Sequence, residues 1–178
     1  MQRLALPLCF FLILFSLPVI AQTNNSNPET SILTSTESSV NHKTLLAAMR
    51  ATELDKLLSF DGQYTVFAPS DKAFQELSHA EISELLKPEN RKKLHELVAY
   101  HIVAGKLSAS KILRAMCRGN GKATFTTVQG EKITATMDGI DIVLTDPLGN
   151  RAKIIMADAD QCNGVIHEID SVILPRKI

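Results

Sequence analysis

The 178-residue chain contains no tryptophan, only two tyrosines and no surplus of positive charge, since its 19 basic residues are matched by 19 acidic ones. Without a basic stripe, a nucleic-acid-binding role has no support. The chain also lacks the Gly-x-Ser-x-Gly turn that exposes the nucleophile of many hydrolases. Its five histidines show no i, i+4 spacing that would place two metal ligands on one helix face. We therefore predict no catalytic residues, no metal and no cofactor.

The longest apolar run lies at the N-terminus, over residues 4–20. It is short for a membrane span, which needs ~20 apolar residues. Val19 and Ala21 are the small or apolar residues expected at −3 and −1 of a cleavage site. We therefore predict a cleaved signal peptide over residues 1–21 and a secreted chain, extracellular or periplasmic, with no stable membrane insertion after cleavage. An uncleaved anchor is the alternative.

The rest of the chain divides into a short linker and one domain. Residues 22–29 are polar and carry the glycosylation sequon that begins at Asn24. Residues 30–178 are numerous enough to bury a substantial core as a single domain. Of the three cysteines, Cys117 and Cys162 lie in this domain. A lone pair of cysteines in an exported chain most simply forms a disulfide, so we predict a Cys117–Cys162 bond, with two unpaired thiols as the alternative.

The two halves of the domain differ in hydrophobic period. Apolar residues recur at helical spacing in the first half, where Ser70 and Ser108 suit the N-terminal caps of helices. In the second half, β-like runs are separated by turns that include Asp138-Gly139, a strong hairpin signal. Helices first and strands later, without regular alternation, indicate an α+β fold.

Three widely separated segments carry the most specific information. They read YTVFAPSDKAF over residues 64–74, Tyr100-His101 in mid-domain, and NGVIHEIDSVILP over residues 163–175. In this order and at this spacing they resemble the N-terminal box, the central Tyr-His motif and the C-terminal box of the fasciclin domain family. The resemblance implies a helical N-terminal half packed on a mainly antiparallel C-terminal β-sheet wedge. It gives a structural role to six residues of the two boxes: Phe67, Pro69, Asn163, Gly164, His167 and Asp170.

The central motif supplies the candidate binding site. Since the Tyr-His pair of fasciclin domains is associated with cell adhesion, the resemblance makes Tyr100 and His101 partner-binding candidates, with Asp71 beside the histidine. The alternative is that the pair closes a helix against the core, because His101 completes an apolar stripe. We expect His167 to be a core histidine with a backbone hydrogen-bond partner. Glu168 stands where the family usually has an apolar residue.

These features predict an exported module without catalytic activity. It would bind a cell surface or matrix, or act in cell adhesion. Its partner would be a cell-surface or matrix protein or a polysaccharide, and not a nucleic acid. Some fasciclin-like proteins bind carotenoids, so a carrier of a small apolar ligand is the alternative, which a deep apolar cavity would favour. A hydrolase would require a pocket that holds His101 or His167 beside a nucleophile.

Overall fold

The computed structural model describes residues 30–59, 62–77 and 83–176. The predicted signal peptide (1–21), the polar linker (22–29) and the sequon at Asn24 lie outside these residues. Among the described helices, none is both long enough and apolar enough to cross a membrane.

Helices dominate the first half of the described chain and strands the second half. The first half contains α1 (Ile32–Ser38), α2 (Lys43–Ala51), α3 (Leu54–Ser59), β1 (Tyr64–Pro69) and α4 (Asp71–Gln75). A 3₁₀ turn (Pro88–Asn90) then leads into α5 (Arg91–Tyr100), β2 (Ile102–Ala104) and α6 (Ala109–Arg118). The remaining strands are β3 (Lys122–Thr126), β4 (Lys132–Asp138), β5 (Asp141–Thr145), β6 (Arg151–Gln161) and β7 (Gly164–Ile169).

Local side-chain caps explain where several helices begin. Ser70 accepts a hydrogen bond from the backbone N–H of Ala73, and Ser108 accepts one from the N–H of Lys111, so both predicted caps are confirmed. Each serine satisfies a backbone donor that has no partner inside its helix. Helix α2 differs, because the side chain of its N-cap residue, His42, makes no capping hydrogen bond.

The strands form one seven-stranded sheet in the order β2-β1-β7-β6-β5-β4-β3. Strands β1 and β7 pair in parallel, and the other neighbours pair antiparallel. The predicted Asp138-Gly139 hairpin joins β4 to β5, with Asp138 opposite Asp141. The sheet curves until its edges approach, since the N–H of Val128 donates to the carbonyl of Ile102 at 2.7 Å.

Two apolar clusters flank strand β1, because successive side chains of a strand point to opposite faces. Val66 and Ala68 belong to the cluster formed with α1, α2, α3 and α5. Phe67 belongs to the second cluster, formed with α6 and the strands of the second half. The observed arrangement confirms the predicted α+β class, with a helical first half against a mainly antiparallel sheet.

Candidate functional site

The strand of the N-terminal box, β1, is almost entirely buried between β2 and β7. The ring of Phe67 is fully buried and stacks on the ring of His167, with 5.6 Å between centroids and 24° between planes. Pro69 ends strand β1 opposite Ile169 of β7. The parallel pairing of β1 with β7 therefore brings together the two boxes that the sequence separates by about a hundred residues.

Asn163 and Gly164 join the β6–β7 turn to the helical half. The side-chain amide of Asn163 donates to the carbonyl of Leu58 at 2.6 Å, and its oxygen accepts from the N–H of Ile32 at 2.8 Å. A Cβ atom at Gly164 would lie 1.9 Å from the carbonyl oxygen of Tyr64, so only glycine fits there. The turn is thus held at both ends by backbone groups of distant segments.

His167 and Asp170 fix the irregular strand β6. The Nδ1 atom of His167 accepts from the N–H of Asp158 at 3.1 Å, so its Nε2–H donates to the carbonyl of Leu107 at 2.7 Å. Burial lowers the pKa of this fully buried ring. Asp170 accepts from the N–H of Lys153 at 2.8 Å. His167 is therefore the core histidine with backbone partners that the sequence predicts.

Tyr100 and His101 are both buried, with 0% and 1% of their surface exposed. The Tyr100 hydroxyl donates to the carbonyl of Lys132 at 2.9 Å. His101 donates from Nδ1–H to the carbonyl of Leu97 at 2.8 Å and accepts at Nε2 from the N–H of Ile173 at 3.4 Å. The pair therefore cannot contact a partner on the folded surface, and its contacts are those of the alternative role, closing a helix against the core.

Burial sets the protonation of both side chains. Burial lowers the pKa of His101 from 6.5 to about 4, although the Leu97 carbonyl and Asp146 act in the opposite direction. Burial also raises the pKa of Tyr100, and the charges of Asp146 and Glu131 add to the effect. At neutral pH both groups are uncharged, as their place in the core requires.

The predicted neighbour of His101 lies elsewhere. The Asp71 carboxylate accepts from the backbone N–H groups of Thr44 at 2.8 Å and Lys43 at 3.2 Å, so it caps the N-terminus of α2 from a different element. Burial alone would raise the pKa of Asp71, but these hydrogen bonds outweigh it and the pKa lies below its ordinary value. The histidine whose pKa is affected by the charge of Asp71 is His42. The prediction that Asp71 lies beside His101 is therefore wrong.

The predicted disulfide is also absent, because Cys117 and Cys162 are both exposed free thiols. Cys117 lies on α6, which packs on β3 and β4 at one end of the sheet. Cys162 lies in the β6–β7 turn, where its N–H donates to the carbonyl of Thr30. A disulfide needs Cα atoms within ~7 Å, and these two segments lie on different parts of the sheet.

A surface groove beside His42 is the site that sequence reasoning missed. Its volume is about 370 Å³ and its lining includes Ser39, Val40, His42, Met156 and Glu168. We call it the His42–Glu168 groove. Ser39 Oγ lies 2.7 Å from His42 Nδ1, and His42 Nε2 lies 3.8 Å from the Glu168 carboxylate. No sequence motif predicts this groove. The only signal in the sequence is Glu168, a charged residue where the fasciclin resemblance implies an apolar one.

His42 occupies an unusual position in this groove. It is 8% exposed, and its Nε2 atom has no hydrogen-bond partner within the described part of the chain. Burial lowers the pKa of His42, while the charges of Glu168 and Asp71 partly offset that effect. A neutral ring therefore stands next to a carboxylate whose side chain is itself only 11% exposed.

Two other depressions bear on the alternative functions. An apolar pocket between α2, α4 and α5, lined by residues that include Ala48, Phe74 and Leu97, has a volume of about 20 Å³. That is room for about one water molecule, far too little for a carotenoid. A wider hollow of about 550 Å³ beside Gln63, Cys162 and Asn163 is open and polar.

The histidines proposed for a hydrolase are already engaged. Both ring nitrogens of His101 and both of His167 bond to backbone groups, so neither ring can activate a nucleophile. Within residues 30–59, 62–77 and 83–176, no three His, Cys, Asp or Glu side chains are placed to hold a metal ion.

Comparison with known proteins agrees with this architecture. The family model for the fasciclin domain matches residues 40–175. The protein sll1483 of Synechocystis sp. is 38% identical over 132 residues, which are 74% of this chain and 66% of that protein. The cell surface glycolipoprotein MPB83 of Mycobacterium bovis is 31% identical over 114 residues, 64% of this chain and 44% of that protein.

The structural comparison gives the same result. A FAS1 domain pair from the insect cell adhesion molecule Fasciclin I superposes with a TM-score of 0.57 and 27% identity, over 74% of this chain and 44% of that one. These findings confirm the resemblance of the three motifs. The chain spans less than two thirds of the length of each of these proteins.

Proposed function

Because the chain belongs to the fasciclin domain family, we propose that it is an exported, non-catalytic module that binds a matrix or cell-surface partner. Its relatives include a cell surface glycolipoprotein and a cell adhesion molecule. The observation that carries the proposal is the distribution of polar groups. The motif histidines His101 and His167 hydrogen-bond to backbone groups inside the fold. The His42–Glu168 groove, in contrast, exposes both polar and apolar groups at the surface.

The rim of the groove supports a binding role. Val40 is 76% exposed and Met156 is 58% exposed, and both line the same groove. Exposed apolar side chains grouped beside polar ones are typical of contact surfaces, whereas single scattered ones need no explanation. Methionine also adapts its shape to a partner, because its side chain is unbranched and polarisable.

Catalysis in this groove is disfavoured, although Ser39, His42 and Glu168 are the residue types of a hydrolase triad. The 3.8 Å between His42 Nε2 and Glu168 is too long for the hydrogen bond that would orient the ring. The Ser39 hydroxyl oxygen already accepts from the N–H of Asn41 at 3.2 Å. This arrangement is that of a turn at the end of α1 and lacks the carboxylate contact of a triad.

The proposal is tested by measuring the binding of the biotinylated exported protein to immobilised matrix and cell-envelope material. We expect saturable binding that falls in the variant Val40→Ser/Met156→Ser. The matched control is Ile140→Ser, since Ile140 is 93% exposed in the β4–β5 turn and lies outside the groove. Absence of saturable binding by the wild-type protein would refute the function, and equal losses in both variants would refute the groove as its site.

A further inference from the structure

The acidic residues of the surface differ in whether they have a cation of their own. Six exposed acids, with side chains 38–63% exposed, pair with a lysine or arginine at 2.5–2.9 Å: Glu37, Glu53, Glu84, Asp138, Asp141 and Asp160. Glu168 is far more shielded, at 11% exposed, yet among the described residues the only basic group within 4.0 Å of it is His42. Glu168 is thus a largely shielded carboxylate that has no lysine or arginine partner among the described residues.

His42 does not supply the missing charge at neutral pH. Burial holds its pKa below the ordinary value, so the ring beside Glu168 is neutral. Asp71 caps α2 and adds a second negative charge that acts on the same histidine, although it does not line the groove. A shielded carboxylate without a cation is costly unless a partner compensates it. The floor of the His42–Glu168 groove is therefore electrostatically negative.

The shape of the groove defines what can reach this charge. Its volume of about 370 Å³ lies within the ~300–1,000 Å³ of ligand pockets. Val40 and Met156 line the entrance side with apolar surface. A lysine or arginine side chain has the complementary form, an apolar stem with a cationic head.

We propose that the His42–Glu168 groove receives a lysine or arginine side chain of a partner protein, whose cationic head pairs with Glu168 and whose stem contacts Val40 and Met156. The inference rests on the proposed binding function and names the chemistry of the partner. The fasciclin resemblance implies that an apolar residue usually stands at position 168, so the proposed contact depends on a residue that is not part of the family's general pattern. Such a pair would give specificity as well as affinity, since an uncharged or acidic side chain would leave Glu168 unpaired.

The first experiment asks whether the groove prefers a cation. The protein, labelled at its methionine methyl groups, is titrated by NMR with Nα-acetyl-lysine methylamide and with the norleucine analogue, which has a similar stem without the charge. We expect the lysine compound to shift the Met156 signal saturably and to bind about tenfold more tightly than the norleucine compound. Met137 is 42% exposed on β4, outside the groove, and serves as the internal control.

Two variants make the result specific. Glu168→Gln keeps the shape of the side chain and should abolish the preference for lysine, whereas Glu89→Gln, an exposed carboxylate on the 3₁₀ turn, should retain it. Val40→Lys places a cation at an exposed position of the rim and should block the groove without unfolding the protein. Equal binding of both compounds, a preference that survives in Glu168→Gln, or a parallel shift of Met137 would overturn the proposal.

The binding assay on matrix material separates this inference from the function on which it rests. We expect Glu168→Gln to weaken binding about tenfold and lysine methylamide to compete. Wild-type binding that is unchanged in Glu168→Gln overturns the lysine or arginine site and leaves the function standing. No binding by wild type overturns the function itself. Binding of spermidine without binding of lysine peptides overturns the assignment to a protein partner.

Discussion

Acidification from pH 7 to pH 5 should destabilise the fold, because His101 is buried in its neutral form. The ring is 1% exposed, and its two nitrogens bond to the carbonyl of Leu97 and the N–H of Ile173. A proton added at Nε2 would face the N–H of Ile173 and break that hydrogen bond. The folded state therefore resists a proton that the unfolded chain accepts freely.

The sign and size follow from the pKa of His101, which burial lowers from 6.5 to about 4. Between these values the unfolded state binds more protons than the folded state, so stability rises with pH and is lost as pH falls. The contribution is fully present above pH 6.5 and declines toward pH 4. Each pKa unit corresponds to ~1.4 kcal/mol, which gives a loss of about 2 kcal/mol at pH 5 and about 3 kcal/mol below pH 4, where the ring is protonated in both states.

Urea unfolding followed by far-UV circular dichroism at pH 7, 6 and 5 measures this loss. Circular dichroism is preferable because the chain has no tryptophan for fluorescence. We expect the urea midpoint to fall at each step while the slope m stays constant. The total loss should be at least that of His101 alone, because burial lowers the pKa values of His42 and His167 in the same direction.

The control is His101→Asn, whose side-chain N–H can replace the donor to Leu97 but cannot titrate. The variant is expected to start from a lower stability, because Ile173 loses its acceptor, and then to lose about 2 kcal/mol less than wild type between pH 7 and pH 5. Identical pH slopes in the two proteins would show that His101 titrates normally and that its burial has been misjudged.

The remaining predictions concern single positions. Gly164→Ala should lower stability by about 3 kcal/mol or more, because its Cβ would meet the Tyr64 carbonyl oxygen; Gly149→Ala, with open space around it, should lose only about 1 kcal/mol. Thermal midpoints of the two variants check this. Tyr100→Phe should lose about 1 kcal/mol in urea unfolding, through the hydrogen bond to Lys132. Cys117 and Cys162 are both exposed, so alkylation without reduction should add two groups by mass spectrometry, and uptake of none would reveal a bond. Intact mass of the exported protein should show cleavage after Ala21, which retention of residues 1–21 in the mature pool would contradict.

Local signals in the sequence predicted the parts of the fold that local interactions determine. Ser70 and Ser108 cap their helices within three residues, and Asp138-Gly139 closes its hairpin between adjacent strands. The core position of His167 is also predicted, because His167 shares one face of its strand with Val165 and Ile169. For the two caps and the hairpin, the residues that decide the structure lie close together in the chain.

Local sequence signals did not predict the contacts between distant segments. Asp71 caps a helix that begins 28 residues earlier, and His42 meets Glu168 only because β7 pairs beside β1. Nothing in the spacing of these residues signals either contact. The disulfide prediction was wrong for a related reason. An oxidising compartment and a pair of cysteines permit a bond, but they do not determine whether the two segments lie close enough to form it. Only the fold supplies that distance.

The burial of Tyr100 and His101 changes how substitutions in the motif should be interpreted. Tyr100 bonds to the carbonyl of Lys132 in β4, and His101 bonds to the N–H of Ile173 after β7, so the pair joins the end of α5 to two distant segments. A variant of either residue therefore lowers the folded fraction before it alters any surface. If the groove is the contact site, partner binding by such variants falls in proportion to the folded fraction, whereas Glu168→Gln reduces binding by a protein that is still folded. Adhesion lost on changing the Tyr-His pair is thus evidence about stability, and only a loss at unchanged thermal midpoint locates a binding surface.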